Sequence, residues 1–493
     1  MAGFANSTPL SFSPTSIPTL PTLTLSDDEK RLITHLSGLA SSQDRLDMEL
    51  TNAYFMGAQV IDNLEIAIPK ELAQKLRTLV GWPRGAVDPY VERLAVEGFR
   101  LPGGTDVDQD LADVWAESGL DAEQSLAFTD ALALGRAWWM VGSGESAGDA
   151  PRITVESPLN VSAQWDVSGR RVKAAMHSYT DGGQQRASLM LPDRTIDLSV
   201  DSRGNWTVEK VDKHGFGYVP MVRMANNPRT DNRNGFSEIT PELRSIVDGA
   251  CRTLLGLEVA RELYSVPQKL LLGASESDFQ NPNGQVRRAW DTYINHILAL
   301  ERDDEGNLPE VKQLVAYDPS TFTKLIEMYA SQAAGILAAP PQDLGLYTQG
   351  NPVSADAYDA TETRRNRRAV RKQAQFGVAV IEMMQLAMRF KNNGALPDKF
   401  KRMAVDWQSV HLPPPMNSDA VQKMIQAGVL PPTSDVTLKR VGINPTERLQ
   451  LEQDRIAHAA AMAKAEILNR ALDGMGSAPT AQPATVTDGN ATG

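Results

Sequence analysis

Residues 217–273 read GYVPMVRMANNPRTDNRNGFSEITPELRSIVDGACRTLLGLEVARELYSVPQKLLLG. A short apolar strand ends in a turn rich in Asn, Arg and Gly. A long amphipathic helix follows, then Pro267 and a second apolar strand. Thr240 is the expected helix cap, with Pro241 at the first helical position. Leu243, Ile246, Val247, Ala250, Leu254 and Leu257 then recur at helical spacing on one face. At ~1.5 Å per residue the segment makes a rod of roughly 38 Å. No catalytic groups gather along it. The stretch reads as a rigid strut between two differently built bodies, which suits a part of an assembly better than an enzyme.

The chain downstream repeats the strut. Asp318 is the expected cap of a second rod and Pro319 its first residue, with Phe322, Leu325, Ile326, Tyr329, Ala333, Ile336 and Leu337 as its buried stripe. It stops at Pro340-Pro341. Between the rods, residues 266–317 form a small unit with an apolar strand at QKLLL. A hairpin of INHILALE and LPEVKQLVA, joined by RDDEGN, completes it. A chain that leaves along one helix and returns along another makes a stalk with a tip. The loop PPQDLGLYTQGNPV (340–353) carries one charge only. Ser354 then caps a helix reaching to about Asn393, stopped by Gly394. Its first half is polar and basic, its second half, VAVIEMMQLAM, apolar nearly all round, and Gly377 is a plausible kink.

Upstream, residues 26–57 predict a helix capped by Ser26, with acidic Asp27, Asp28 and Glu29 in its first turn. A second helical region over 69–98 is broken by Pro83 and Pro89 and closes with ERLAVEGF. A helix pair covers 107–135, where Leu111, Val114 and Trp115 share a face. From 138 to 225 the period changes to two, and WWMVG, RITVES, NVSAQWD, RVKAAMHSYT, ASLMLP, RTIDLS, WTVEKV and YVPMVRM read as strands of an antiparallel unit. Asp181-Gly182-Gly183 and Asp201-Ser202-Arg203-Gly204 are hairpin turns. After the long helix come a β piece, KRMAVDWQSV, the break HLPPP and a helical region over 416–472. Residues 1–25 read as an extended Pro, Ser and Thr arm rather than a secretory signal, and residues 473–493 as a disordered tail.

The 493 residues carry a net charge of −12, so the surface as a whole is not built to grip nucleic acid, whose binding draws on Lys and Arg. A single cysteine, Cys251, excludes a disulfide framework or a cysteine-rich metal site. No apolar run approaches the ~20 residues of a membrane helix. The phosphate-loop pattern G-x-x-x-x-G-K-[ST] and the G-x-S-x-G elbow do not occur. His35, His177, His214, His296, His411 and His458 have no partners at zinc spacing. Acidic pairs such as Asp27-Asp28 and Asp303-Asp304 sit at a helix start and in a turn. The composition therefore calls for no cofactor and no catalytic site. The notable charge cluster is Arg364, Arg365, Arg367, Arg368, Arg371 and Lys372. It is either a solvated helix face, partly paired with Asp356, Asp359 and Glu362, or a contact to phosphate or an acidic neighbouring subunit.

Several phrases, in order, resemble the portal proteins of tailed bacteriophages, in the siphophage branch common among phages of actinobacteria. They are NAYFMG, VDPYVERLAVEGFRL, LADVWAESGLD, ALALGRAWWMVG, ITVESPLNV, YVPMVRMANNPRTDNRNGFSEI and VDGACRTLLGLEVARELYSVPQKLLLG, then LERDDEG, PPQDLG, SADAYDATETRRNRRAVRKQAQFG and MAVDWQSVHLPP. The similarity runs from about residue 40 to 470. The resemblance implies an α+β, mainly helical subunit and a ring of about twelve copies around a channel for double-stranded DNA at a capsid vertex. It implies a wing over 26–236, stem helices at 237–265 and 318–339, and a clip over 266–317. A tunnel loop at 340–353, a long kinked helix returning a β piece to the wing over 354–415, and a crown over 416–472 complete the parts. Channel-lining residues would be Gln342, Tyr347, Gln349 and Asn351. The clip, with Glu276, Asp278, Asp303, Asp304 and Glu305, would dock the terminase large subunit and head-tail adaptor. Major capsid and scaffolding proteins would be further partners, with synthesis in the bacterial cytoplasm, residence in the virion and no membrane contact. The cluster at 364–372 is expected to bridge subunits, so that Glu at Arg365 and Arg368 impairs ring assembly. Another virion component, such as a minor head protein or adaptor, is the alternative, and a packaging enzyme a further one.

Overall fold

The computed structural model describes residues 25–61, 78–102, 108–144, 149–264 apart from 167, 169, 202 and 203, then 269–272, 310–313, 318–345, 355–410, 418–432 and scattered positions up to 465. Contacts divide the chain into two units, Met1–Val410 and His411–Gly493. Within the second, a helix spans Ser418–Gln426. No helix among the described residues is long and apolar enough to cross a membrane.

The first unit opens with α1 (Asp27–Gly38) and α2 (Gln43–Phe55), separated by a 3-10 turn. Ser26 caps α1 through a full capping box: its hydroxyl accepts from the Glu29 N–H while Glu29 accepts from the Ser26 N–H. Glu29 also takes Arg194 at 2.8 Å, tying the helix to a distant strand. Burial pushes the Glu29 carboxyl up, but the hydrogen bonds from Ser26 and Arg194 outweigh it and leave it below the ordinary glutamate range. A depressed carboxylate lends stability that is complete above its unfolded value of ~4.3 and fades as pH falls through the folded value. Glu29→Gln is expected to cost about 1 kcal/mol at neutral pH and to flatten the acid limb of unfolding. The fluorescence of Trp206, which packs on the same core, reads it. An unchanged acid limb would refute the assignment.

Two short helices, α3 (Trp82–Gly85) and α4 (Asp88–Val91), each carry Pro in the first turn. The segment expected to end as a helix is instead β1 (Val96–Arg100), which pairs antiparallel with β12 (Ala404–Trp407), Gly98 opposite Asp406. Local propensity at 96–100 yields here to a partner strand that lies far along the chain. Then come α5 (Gln109–Glu117) and α6 (Leu120–Leu134).

The period-two region forms two sheets rather than one. β2 (Arg136–Gly142) lies between β3 (Arg152–Glu156) and β9 (Met221–Ala225) in a three-stranded antiparallel sheet. Trp138 and Trp139 on β2 are both buried, as strands covered on two faces require. β4 (Val161–Asp166), β5 (Arg171–Asp181), β6 (Gln184–Met190), β7 (Arg194–Val200) and β8 (Trp206–Lys213) run as a five-stranded meander. Gly182 and Gly183 turn the β5–β6 hairpin with φ of 57° and 81°. At Gly235, φ is 89° and an added Cβ would lie 2.6 Å from the Asn226 oxygen, so only glycine lets this loop close on β9.

The expected strut is α7 (Pro241–Tyr264), where the Thr240 hydroxyl accepts from the Leu243 N–H. Beyond it, β10 (Lys269–Leu272) pairs antiparallel with β11 (Glu310–Gln313). The proposed hairpin strand INHILALE and its turn lie outside the described residues. The second rod is α8 (Ser320–Leu337), one residue later than expected because Pro319 occupies the cap position. Asp318 still serves the helix start, accepting from the Ser320 N–H at 2.9 Å and the Ser320 hydroxyl at 2.6 Å.

The two rods pack on each other in antiparallel register. A Cβ on Gly249 would meet the Tyr329 ring at 2.8 Å, and one on Gly256 would meet the Phe322 ring at 3.1 Å. Moving up α7 from Gly249 to Gly256 matches moving down α8 from Tyr329 to Phe322 by the same step. Each glycine is a socket for an aromatic ring. Gly249→Ala sets a helix-propensity gain of about 1 kcal/mol against overpacking of about 1–3 kcal/mol, so it should fall between neutral and about 2 kcal/mol destabilising. Gly249→Leu is expected to destabilise by about 1–3 kcal/mol, with Tyr329→Ala in the same chain relieving it. Thermal unfolding checks both, and a Leu variant as stable as wild type would sink the socket.

The long helix is α9 (Ala355–Lys391). It continues unbroken through Gly377, where an added Cβ would lie 3.4 Å from Trp407 Nε1. The glycine permits close packing there rather than marking a helix break. Phe376 stacks on Phe128 at 5.8 Å, Met383, Met384, Ala387 and Met388 are buried, and the helix packs chiefly against β9 and β2. Val378 is 67% exposed, so the apolar half of α9 is not buried all round.

Candidate functional site

The basic half of α9 begins a turn after the loop, and its helical period splits the cluster into two faces. Arg365, Arg368 and Lys372 turn inward, at spacings of three and four residues. Arg364, Arg367 and Arg371 point outward and are exposed.

The inward residues bind four separate parts of the fold. The Arg365 guanidinium, 6% exposed, donates to Asp343 Oδ2 at 2.7 Å and to Glu362 Oε1 at 2.9 Å. Asp343 belongs to the 3-10 turn Pro341–Leu344 at the start of the loop. Glu362 is shared: Arg93 reaches its other oxygen at 2.8 Å and also donates to Asn366 Oδ1 at 3.1 Å. Arg368 donates to the Ile336 carbonyl at 3.1 Å, serving one of the last free carbonyls of α8. Deepest is Lys372. Its Nζ donates to Glu238 Oε1 at 2.5 Å and to Asn226 Oδ1 at 2.8 Å, and sits 5.2 Å from the centre of the Tyr90 ring. Burial pushes this ammonium down and Glu238 pulls it back up, leaving it below the ordinary lysine range. Asn226 and Asn227 donate to the same Glu238 oxygen at 2.9 and 2.6 Å.

Among the described residues, this arrangement aims no general acid, nucleophile or electrophile at open space. Among the described residues no group of three or more His, Cys, Asp or Glu is placed to hold a metal ion. What it does mechanically is join the start of the loop, the end of α8, the segment before α7 and the α4 region to one long helix. Displacing α9 along its axis would break several charged hydrogen bonds together.

The expected site residues are distributed accordingly. The expected bridging cluster is half internal: Arg365 and Arg368 hold this chain together, so charge reversal there would disrupt the subunit before it tested assembly. Arg364, Arg367 and Arg371 form no ion pair with any described residue and leave an outward basic stripe. Gln342 lies in the 3-10 turn, half-buried, with its Oε1 lacking a hydrogen-bond partner. Tyr347, Gln349 and Asn351, and the acidic Glu276, Asp278, Asp303, Asp304 and Glu305, lie outside the described residues, as do the side chains of Asp356 and Asp359. Sequence reasoning missed Asp343, Glu238 and Arg93. Only Glu362, three residues before Arg365, was visible as a partner in the linear pattern.

Residues 51–433 match the family described as Phage portal protein, SPP1 Gp6-like. A portal protein of Mycobacterium phage D29 is 33% identical over 419 residues, covering 83% of this chain and 84% of that protein. A portal protein of Mycobacterium phage L5 is 33% identical over 416 residues, with 82% of each chain covered. Among solved structures, a chain from the neck of a native GTA particle computed with C12 symmetry is similar at a TM-score of 0.39 and 14% identity, covering 76% of this chain and 93% of that one. A chain from the virion of a native gene transfer agent particle has a TM-score of 0.39 at 13% identity, covering 77% and 94%.

Proposed function

The chain belongs to the phage portal protein family, SPP1 Gp6-like, and on that premise we propose that about twelve copies close into a ring around an axial channel for double-stranded DNA. The ring occupies one vertex of the capsid in the virion, where DNA enters during packaging and leaves during ejection. Its work is structural, with the chemistry of packaging done by partners. The family match across most of the chain carries this reading, and the paired rods α7 and α8 support it.

In this reading α7 and α8 are the stem, and the insert between them is the clip that docks the terminase large subunit and the head-tail adaptor. Residues 341–353 line the channel with Gln342, Tyr347, Gln349 and Asn351. The network from Asp343 to Arg365, Glu362 and Arg93 ties that loop to α9, so a movement of the loop is felt along the long helix. Residues 416–472 face the capsid interior, near the major capsid and scaffolding proteins. A duplex in such a ring must be confined without being held, because each phosphate contact adds salt-dependent affinity. Polar, nearly uncharged loops on an acidic ring meet that need.

The outward stripe of Arg364, Arg367 and Arg371 faces the neighbouring subunit in this arrangement. Electron microscopy of the purified full-length chain, viewed down the particle axis, tests the reading. Rings with a central hole and a mass of about 0.6 MDa are expected from subunits of 53.7 kDa. A monodisperse monomer, or a closed particle without a hole, would overturn it.

A further inference from the structure

A cavity of about 240 Å³ opens between α2, β2, β4 and β9, well away from α9 and its network. Three arginines line it: Arg45 from α2, Arg136 from β2 and Arg223 from β9. Arg45 is 7% exposed and Arg136 is 8% exposed. A single acidic side chain lines it, Asp44, which is taken by Arg136 through both guanidinium nitrogens.

The other two cations are left without a counter-charge in contact. Arg223 lies over the Trp165 ring at 3.8 Å and donates to the neutral Asn234 Oδ1 at 2.7 Å. Burial and the nearby Arg136 push its guanidinium down to about 10, against a weaker opposing pull from Glu382. The Arg45 guanidinium makes no hydrogen bond and no ion pair among the described residues. Glu49 and Asp44 act on it only from beyond pairing distance, and burial holds it below the ordinary arginine range. A buried arginine without an acceptor is costly, since five N–H donors lose water and gain nothing. Arg45 is such a cation, and beside it stand the half-buried Arg223, held only by a neutral amide and a ring, the paired Arg136, and the Ser162 hydroxyl. The cavity therefore presents more positive charge than its one carboxylate balances.

We propose that this cavity is a binding site for a small phosphate-class oxyanion, held by Arg45, Arg136 and Arg223. Its volume lies below the ~300 Å³ at which pockets begin to take drug-sized molecules, so a nucleotide does not fit. It admits an ion with a few waters at ~30 Å³ each. A duplex phosphate cannot reach it, because Arg45 and Arg136 are withdrawn from the surface. Planar guanidinium forks suit tetrahedral oxyanions, which accept from several directions at once. Bound there, the ion joins the first helices to both sheets and stabilises the fold without touching the α9 network.

The test is a titration of the full-length protein with inorganic phosphate, against chloride at matched ionic strength, read by thermal unfolding and by calorimetry. Saturable stabilisation and heat are expected for wild type and for Arg31→Gln, an exposed control. Arg45→Gln should bind about tenfold more weakly or worse, the loss of a charge-assisted contact. Arg223→Gln is the second variant, should Arg45→Gln fail to fold. Stabilisation that follows ionic strength alone overturns the proposal, as does calorimetry with no heat. Loss of ring assembly in Arg45→Gln without any phosphate response also overturns it, and assigns the cavity to a carboxylate of a neighbouring copy.

Discussion

Lys372→Ala is expected to cost about 3–5 kcal/mol of folding stability, the largest effect of any single side chain in the α9 network. The ammonium is 4% exposed and the Glu238 carboxylate 14% exposed, so neither is relieved by water when the other is removed. Removing the lysine leaves Glu238 with two amide donors, Asn226 and Asn227, and no counter-charge. A surface pair would give about 0–1 kcal/mol, so the size of the loss separates the two cases. The double variant Lys372→Met with Glu238→Gln should recover most of the stability, because a neutral buried pair escapes the desolvation penalty. Urea unfolding of wild type, Lys372→Met, Glu238→Gln and the double variant closes the cycle and supplies the coupling directly. A single-variant cost under about 1 kcal/mol would mean that the pair is solvated and that α9 is not pinned to the segment before α7.

Reversing Arg364, Arg367 and Arg371 together to Glu is expected to abolish ring assembly while leaving the subunit folded. These side chains are exposed and lie three and four residues apart, so one helix face changes sign as a unit. Exposed substitutions away from packed features typically change stability by less than about 0.5 kcal/mol each. In the proposed ring, where the stripe meets an acidic neighbouring face, like charges cost far more, because each subunit of a closed ring meets the same mismatch. Size-exclusion chromatography with light scattering reads assembly, and thermal unfolding of the monomer reads the fold. Rings that form normally would remove the stripe from the interface. A variant that assembles but fails to package DNA would assign the stripe to the duplex instead. Arg365→Glu serves as the contrast: it should unfold the local network first, since it breaks the contacts to Asp343 and Glu362.

Much of the architecture was readable from residue order. Period-two runs marked the strands, Ser26 and Thr240 marked helix starts, and two rods stood out on either side of an insert. Those signals are local: a cap bonds within three residues, and a hairpin turn within four. Where a segment's partner was remote, the reading failed. Residues 96–100 looked like the end of a helix and became a strand because Ala404–Trp407 completes the ladder. Gly377 looked like a kink and is a packing contact for Trp407. The run of six basic residues was visible, but not that every second one of them faces inward, because the direction of a side chain depends on what covers each helix face.

Linear order by itself determined most of the elements, their sequence and the family resemblance, since each rests on neighbouring residues. Only the tertiary structure decided which charges are buried and paired. Asp343 meets Arg365, Gly249 receives Tyr329, and three arginines from a helix and two strands share one cavity. Such meetings depend on three-dimensional packing, in which distances along the chain carry no weight and desolvation decides which charge must find a partner.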